Sequence, residues 1–287
     1  MTDNAKKRMW WYVGTLLFVS WASELFLLHA FGLEDPKAKP FFGILMLLPG
    51  LIAVGYLMIT REGFRTIDWG IKKPIYLLYA AIVPALLALA CMFIIGISGA
   101  GSSTHFAFAQ AGVDIKRGMF VLGKGEQSPW FFILNYSVTA IVFSGVNGIP
   151  AFGEELGWRG FLQRKLVDHY GLVSGVTLLG LIWGFWHFPL ILNGYNYPEH
   201  PVLGALILFP LTTVFSSFFL AWLTLSSRSL WPAVLAHGCV NTFYGNVISE
   251  MNFGKHRLAA DAIILFVWFL TAAFSYLLLR RMNTIHE

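Results

Sequence analysis

Long apolar runs, separated by short polar segments, dominate the pattern of hydrophobic positions along this chain. A run of about 20 apolar residues is long enough for a helix to cross the hydrocarbon core of a bilayer. Runs of this kind lie at 9–31, 41–60, 75–97, 130–152, 172–192, 202–225, 231–250 and 259–280. The pattern predicts an all-α, polytopic helical membrane protein with about eight transmembrane helices, forming a single integral membrane domain over residues 1–287.

The composition agrees with this prediction. Hydrophobic residues make up 57% of the chain and charged residues only 12%, and no soluble domain of this length needs so much apolar surface. The net charge of +5 does not indicate nucleic-acid binding, because the cytoplasmic loops of membrane proteins carry an excess of Lys and Arg. Both cysteines, Cys91 and Cys239, lie within apolar runs, so neither a disulfide framework nor a cysteine zinc site is predicted.

The basic residues predict the orientation in the cell membrane. Lys6, Lys7 and Arg8 precede the first apolar run, which is too long for a signal peptide and is therefore predicted to be a retained span. Most Lys and Arg residues fall on the side of the N-terminus, which predicts that both termini of the multi-pass chain are cytoplasmic. The Gly- and Ser-rich segment 98–129 is predicted to be an external loop without recognisable chemistry.

The chain concentrates charge beside an apolar run in Gly153-Glu154-Glu155-Leu156-Gly157-Trp158-Arg159-Gly160, the Glu motif. On a helix Glu155 and Arg159 share one face with the acid N-terminal, which favours an ion pair. Glu154 is turned about 100° from Glu155, so it stands outside this ion pair. A carboxylate in such an apolar setting can act as a general base. The alternative is a pair of surface acids at a helix–water boundary.

Gly145, Gly148 and Pro150 precede the Glu motif and are predicted to interrupt the helix. Such an interruption is tolerated at membrane depth only where protein or a hydrated cavity satisfies the backbone. We therefore predict that the Glu pair opens a new helical segment beside a hydrated pocket. This kink would also help Glu154 to meet His187, which lies deep within the predicted fifth span.

Two later spans carry isolated polar residues at helical spacing. Trp183 and His187 are four residues apart, as are His237 and Asn241, so each pair shares a helical face. Gly238 leaves room for another helix to approach. Taken singly, each histidine can be structural and Asn241 can be an interhelical hydrogen bond, whereas one polar cluster would account for all of them.

The first span carries a further acid, Glu24. A carboxyl within a span is a functional candidate by default. The alternative is that Glu24 pairs with a neighbouring helix.

Three ordered motifs resemble the CAAX-protease and bacteriocin-processing (CPBP) family, whose members are also called type II CAAX prenyl endopeptidases or Abi proteins. The motifs are Glu154-Glu155-x-x-x-Arg159, an aromatic-x-x-x-His at Trp183 and His187, and His237-x-x-x-Asn241. The resemblance covers residues 153–241, and the earlier part of the chain matches only in having several spans.

The resemblance implies an intramembrane endopeptidase with helices arranged around an intramembrane active-site cavity. It implies that Glu154 and His187 activate the attacking water and that His237 and Asn241 bind the oxyanion. The catalytic core would be 130–250.

The resemblance also implies that Glu155 and Arg159 hold the site in shape. The family has been described both as metalloproteases and as metal-free, glutamate-dependent enzymes, and we expect the second mechanism, without a cofactor. A desolvated Glu can act as a base, and His and Asn donors suit a developing oxyanion. The disfavoured alternative is a zinc site of Glu154, His187 and His237, since no His-Glu-x-x-His helix is present.

The expected partner is a membrane-associated protein or peptide substrate within the lipid bilayer. Prenylated CAAX proteins, a bacteriocin or pheromone precursor, and an anchored membrane protein all fit the resemblance. The alternative function is a non-catalytic membrane regulator or immunity factor that binds a partner through the same cavity. A small-solute transporter is disfavoured because no inverted repeat is visible.

Overall fold

The computed structural model describes residues 3–285, with the side chains of residues 3–5, 39 and 283–285 left undescribed. The α-helices of this part of the chain are α1 (Asp3–Ala30), α2 (Lys39–Leu45), α3 (Leu48–Thr60), α4 (Ile75–Ile97), α5 (Pro129–Glu155), α6 (Gln163–Tyr170), α7 (Leu172–Trp186), α8 (Phe188–Leu192), α9 (Pro201–Leu203), α10 (Phe209–Ser227), α11 (Trp231–Phe243) and α12 (Arg257–Ile285). Wider π-helical turns at Leu156–Leu162, Gly204–Leu208 and Tyr244–Ile248, and a 3₁₀ turn at Phe64–Thr66, join or extend some of them.

The predicted class, a polytopic helical membrane protein, is confirmed. Six helical stretches of the described residues are long and apolar enough to cross a membrane: Lys6–Ala30, Pro40–Thr60, Ile75–Ile97, Pro129–Tyr170, Pro201–Ser227 and Arg257–Met282. The other two predicted spans, 172–192 and 231–250, also fall on helices, but these are shorter. The fifth predicted span ends early as a regular helix, at Trp186, and the seventh becomes π-helical after Phe243. The cytoplasmic location of both termini stays a prediction, and residues 1–2 and 286–287 lie outside the described residues.

The segment 98–129, predicted to be a loop, contains a small antiparallel sheet. Its strands are β1 (Phe106–Ala109), β2 (Gly112–Ile115) and β3 (Gly125–Gln127), paired in sequence order. Phe106, Val113 and Ile115 are buried and belong to a hydrophobic cluster with residues of α4 and α5. The strands are only three or four residues long, which is too short for a period-two pattern to identify them in the sequence.

The chain divides into two compact units. The first comprises Met1–Pro74, Pro150–Val234 and Trp268–Glu287, and the second comprises Ile75–Ile149 and Leu235–Val267. In the first unit α10 packs along α7, and small residues make this approach possible: a Cβ at Gly180 would lie 2.4 Å from the Cα of Val214. The second unit has its own apolar core of α4, the sheet, α5 and α11 side chains.

The predicted interruption before the Glu motif is wrong. Helix α5 runs without a break through Gly145, Gly148 and Pro150 to Glu155, because proline is tolerated within transmembrane helices where neighbouring groups and local adjustments satisfy the freed carbonyl. The irregular geometry comes after the two glutamates, in the π-helical turn Leu156–Leu162. Glu154 therefore ends a long helix rather than opening a new one.

The break that the fold does contain lies at His187. Helix α7 ends at Trp186, and α8 resumes with Phe188 and Pro189. Pro189 lies in the first turn of α8, where it has no N–H to donate to the carbonyl of Phe185. The carbonyl of Phe185 accepts a hydrogen bond from the indole N–H of Trp21 at 3.0 Å instead.

Candidate active site

Glu154 is a buried carboxylate held by two tryptophans. Only 1% of its surface is exposed. The indole N–H of Trp183 donates to Oε2 of Glu154 at 2.8 Å, and that of Trp158 donates to the same oxygen at 3.3 Å. Hydrogen bonds donated to a carboxylate favour its ionised form. The burial of this acid agrees with the predicted apolar setting.

The predicted ion pair of Glu155 and Arg159 is confirmed. Nη1 of Arg159 donates to Oε1 of Glu155 at 2.8 Å, and the two side chains are fully buried. Nη2 of Arg159 also donates to Oγ of Ser217 on α10 at 3.1 Å, and the guanidinium carbon lies 4.5 Å from the ring centroid of Trp183. Because Trp183 contacts the cation through its face and Glu154 through its N–H, this one side chain connects the pair to the carboxylate.

The glycines of the Glu motif allow α3 to approach it closely. A Cβ at Gly153 would lie 2.6 Å from the Cα of Leu47, and one at Gly157 would lie 2.5 Å from the carbonyl carbon of Pro49. The facing residue Gly50 is equally constrained, since its Cβ would lie 2.6 Å from the carbonyl oxygen of Gly153. Small residues four apart permit this kind of backbone contact between transmembrane helices.

His187 lies at the junction of α7 and α8 and is half-buried. Its backbone N–H donates to the carbonyl of Gly184 at 3.2 Å. Its ring packs edge-on against Trp186 and Phe209, with centroid distances of 4.5 and 4.9 Å. Trp183 and His187 were expected to share one face of a regular helix. Helix α7 instead ends at Trp186, and His187 lies in the turn before α8.

His237 and Asn241 lie on α11 within the second unit. His237 is buried and Asn241 is half-buried. The close approach of another helix expected at Gly238 is confirmed. A Cβ at this position would lie only 2.3 Å from the carbonyl oxygen of Ser144 on α5.

A structural hydrogen bond supports the same contact between α11 and α5. Nδ2 of Asn147 donates to Oγ1 of Thr242 at 2.7 Å, and Thr242 donates in turn to the carbonyl of Gly238 at 2.8 Å. Thr242 also donates to the carbonyl of Phe143 at 3.4 Å, so this threonine forms hydrogen bonds between the two helices.

The first unit therefore brings together four residues singled out in the sequence, namely Glu154, Glu155, Arg159 and Trp183. His187 packs on Trp186, whose ring lies against Trp158. Two residues that position these four were missed. Trp158 follows Glu154 by four residues, so helical spacing could have identified it as a donor. Ser217 bonds to Arg159 from 58 residues further along the chain, and no local signal in the sequence points to that contact.

Glu24 is completely buried in α1, and within the described residues neither of its carboxyl oxygens has a hydrogen-bond partner. The expected alternative, pairing with a neighbouring helix, is therefore not found in this part of the chain.

Among residues 3–285, no group of three or more His, Cys, Asp or Glu side chains is arranged so that it could hold a metal ion.

Taken together, the fold and this site define a polytopic helical membrane protein with a buried glutamate held by tryptophan N–H groups. Residues 126–243 match the family described as type II CAAX prenyl endopeptidase Rce1-like. CAAX prenyl protease 2 of Methanococcus maripaludis is 32% identical to this chain over 98 residues, which is 32% of this chain and 36% of the relative. The matched region thus spans about a third of the relative's length.

These comparisons confirm the resemblance that the three motifs predicted. Region 126–243 of this chain is thus similar to type II CAAX prenyl endopeptidases. The matched region contains the whole Glu motif, His187 and both α11 residues.

Proposed function

We propose that this protein is an intramembrane endopeptidase that hydrolyses a peptide bond of a membrane-associated substrate without a metal. The observation that carries the proposal is the buried Glu154, fixed by two N–H donors within the region that matches the family. The catalytic core is 130–250 within a single integral membrane domain.

In the proposed reaction, Glu154 is the general base. Both indoles donate to its Oε2, which fixes the orientation of the carboxylate before substrate arrives. Glu154, together with His187, removes a proton from water as the oxygen attacks the scissile carbonyl. The tetrahedral intermediate then collapses, its C–N bond breaks, and the proton is returned to the leaving amine.

His237 and Asn241 are the proposed donors to the oxyanion. Charge develops on the carbonyl oxygen only as water attacks, so donors directed at that oxygen accelerate the reaction by lowering the transition state. The Glu155–Arg159 pair has a positioning role, supported by its contact with Trp183. Because the charges of Glu155 and Arg159 neutralise each other, the pair positions Trp183 without placing a net charge beside Glu154.

The proposed substrate is a membrane-associated protein or peptide, and the similarity to CAAX prenyl protease 2 makes a prenylated CAAX-type substrate the first to test. The proposed location is the cell membrane, multi-pass, with both termini cytoplasmic and with no nucleic-acid partner. The bilayer itself would concentrate a lipid-modified substrate near the site.

The test uses the purified protein in lipid nanodiscs, with a farnesylated peptide that ends in a CAAX sequence. We expect mass spectrometry to show release of the terminal tripeptide by the wild type and no release by Glu154→Gln at equal loading. An unprenylated peptide of the same sequence measures how much the lipid contributes. If the wild type binds the peptide but releases no product, the protein is the non-catalytic regulator of the alternative reading.

A further inference from the structure

Arg159 and Gln163 each carry a buried polar atom that the ion pair with Glu155 does not use. Arg159 is 5% exposed and Gln163 is 2% exposed. Within the part of the chain that the structure describes, neither Nε of Arg159 nor Oε1 of Gln163 has a hydrogen-bond partner. A buried polar group costs free energy when it forms no hydrogen bond, so two such atoms on residues one helical turn apart call for a specific explanation.

The other two nitrogens of the guanidinium are already bonded to protein. Nη1 of Arg159 donates to Glu155 at 2.8 Å and Nη2 donates to Ser217 at 3.1 Å, while the face of the group contacts the ring of Trp183. Together these contacts fix the plane of the guanidinium. Its Nε–H cannot turn to another partner without breaking them, so an acceptor has to come to it.

The amide of Gln163 is oriented by its own partner. Its Nε2 donates to Oγ1 of Thr224 at 2.9 Å. The hydroxyl of Thr224 donates in turn to the carbonyl of Leu220 at 2.9 Å, so its oxygen is the acceptor in the bond with Gln163. This order of donors and acceptors requires the amide nitrogen to face Thr224, which leaves Oε1 as an acceptor in need of a donor.

Arg159 and Gln163 both line one small polar pocket of the first compact unit. The pocket has a volume of about 30 Å³. Its lining also includes Thr224 and the partly exposed ion pair of Asp68 and Arg164. A cavity needs roughly 10–15 Å³ to hold a water, which in turn needs two or more polar partners. This pocket therefore has room for one or two waters among polar groups.

The two atoms without partners select the chemistry of the ligand. Nε–H of Arg159 requires an acceptor, and Oε1 of Gln163 requires a donor. An anion would accept from the arginine but offers no hydrogen to the amide oxygen. A metal cation would bind the amide oxygen but offers no acceptor, and the guanidinium would repel it. Water both donates and accepts, and a water that bridges two protein groups is nearly as favourable as a direct hydrogen bond.

We propose that this pocket is a binding site for structural water, in which one water accepts a hydrogen bond from Nε–H of Arg159 and donates one to Oε1 of Gln163. The water completes the hydrogen bonding of the guanidinium that pairs with Glu155 and contacts Trp183. The site goes beyond the proposed function and does not depend on it, because the water is bound whether or not the protein hydrolyses a peptide.

The direct test is a crystal structure of the full chain grown in sodium bromide, at a resolution that shows ordered waters. We expect a density peak within hydrogen-bond distance of Nε of Arg159 and Oε1 of Gln163, with no anomalous signal from bromide. A bromide peak there would assign the pocket to an anion. That result, a direct bond between the two atoms, or no density at this position would overturn the proposal.

Radiolytic labelling tests the same site in lipid nanodiscs. X-rays convert bound water into hydroxyl radicals, which oxidise the side chains beside it, and mass spectrometry measures the rate for each residue. Leu230 lines the pocket and is only 2% exposed. We expect it to be oxidised at a rate closer to that of Leu122, which is 38% exposed, than to that of Leu279, which is 3% exposed. A rate as low as that of Leu279 would overturn the proposal.

Three variants test whether Gln163 holds the water. Gln163→Leu removes the acceptor, so oxidation of Leu230 should fall to the rate of Leu279. Gln163→Glu keeps an oxygen at the same position, and Thr224→Val removes only the direct bond to the amide, so both should keep the rapid oxidation. Rapid oxidation in Gln163→Leu would show that the amide does not bind the water. If that variant does not fold, a loss of rapid oxidation in Gln163→Glu contradicts the proposal instead.

Discussion

Trp183 donates its indole N–H to Oε2 of Glu154 at 2.8 Å while its ring face lies 4.5 Å from the guanidinium carbon of Arg159. The aromatic ring attracts the cation, and the N–H donor stabilises the anion. One side chain therefore orients the candidate base relative to the ion pair that Arg159 forms with Glu155.

This relationship predicts the effect of Trp183→Phe. Phenylalanine keeps an aromatic face for Arg159 but loses the donor to Glu154, and a hydrogen bond to a charged group is worth about 1.5–3 kcal/mol. We expect kcat/KM to fall by about tenfold or more, with a smaller loss for Trp158→Phe, whose bond is longer. Trp130→Phe is the control, because Trp130 is 82% exposed. Normal turnover in Trp183→Phe would mean that the indole N–H does not hold the base.

Glu154→Gln and His187→Ala should each abolish hydrolysis while the protein still expresses and remains stable in detergent. If both residues act on one water, the double variant should be barely worse than either single one, because groups that work as a unit lose their effect together. Single-turnover rates of the three variants test this. If the two losses in rate multiply in the double variant, Glu154 and His187 do not act on one water.

Glu155→Ala and Arg159→Ala should lower stability as well as activity. Removing one partner leaves the other charge buried without compensation, which costs about 3–5 kcal/mol. The matched control is Arg164→Ala, whose ion pair with Asp68 is largely exposed and should be worth no more than about 1 kcal/mol. Thermal unfolding of the purified proteins compares them. Equal melting temperatures for all three variants would contradict a buried, stabilising pair.

Asn241→Ala distinguishes an oxyanion donor from a structural residue. Loss of one such donor typically lowers kcat by about 10²–10³, while KM and the melting temperature stay near those of the wild type because the ground state needs the donor much less. Asn147→Ala is the structural control, since Asn147 bonds to Thr242 and its loss should lower the melting temperature. If Asn241→Ala instead behaves like this control, with normal turnover per folded molecule, Asn241 does not bind the oxyanion.

The metal-free mechanism predicts the outcome of chelation. Strong chelators should leave turnover of the purified protein unchanged, and elemental analysis should find far less than one zinc per chain, because a base and oxyanion donors suffice for the proposed reaction. The disfavoured zinc site of Glu154, His187 and His237 predicts the opposite. Activity that is lost on chelation and restored by zinc would overturn the mechanism.

Several features followed from the sequence alone because they depend on local spacing or on composition. The long apolar runs indicated the membrane helices, since each must satisfy its backbone within its own segment. The ion pair of Glu155 and Arg159 followed from a four-residue spacing on a helix. The resemblance to CAAX prenyl endopeptidases followed from three ordered motifs, and the match over residues 126–243 confirmed that resemblance.

Local reasoning failed where packing overrode residue preference. Gly145, Gly148 and Pro150 suggested a broken helix, yet α5 passes through them. The actual break comes at His187, where Pro189 has no N–H to donate to the carbonyl of Phe185 and Trp21 donates to it instead.

The surroundings of the two buried acids were decided only by the tertiary structure. Trp183 is 29 residues from Glu154 in sequence, and Ser217 is 58 from Arg159, so their contacts depend on how α7 and α10 pack against the Glu motif. The sequence determined which polar groups enter the membrane, because apolar runs and motif spacing are local properties. Only the fold determined that Glu154 is given hydrogen-bond donors and Glu24 is not, because donors are brought to a buried acid by packing between helices distant in sequence.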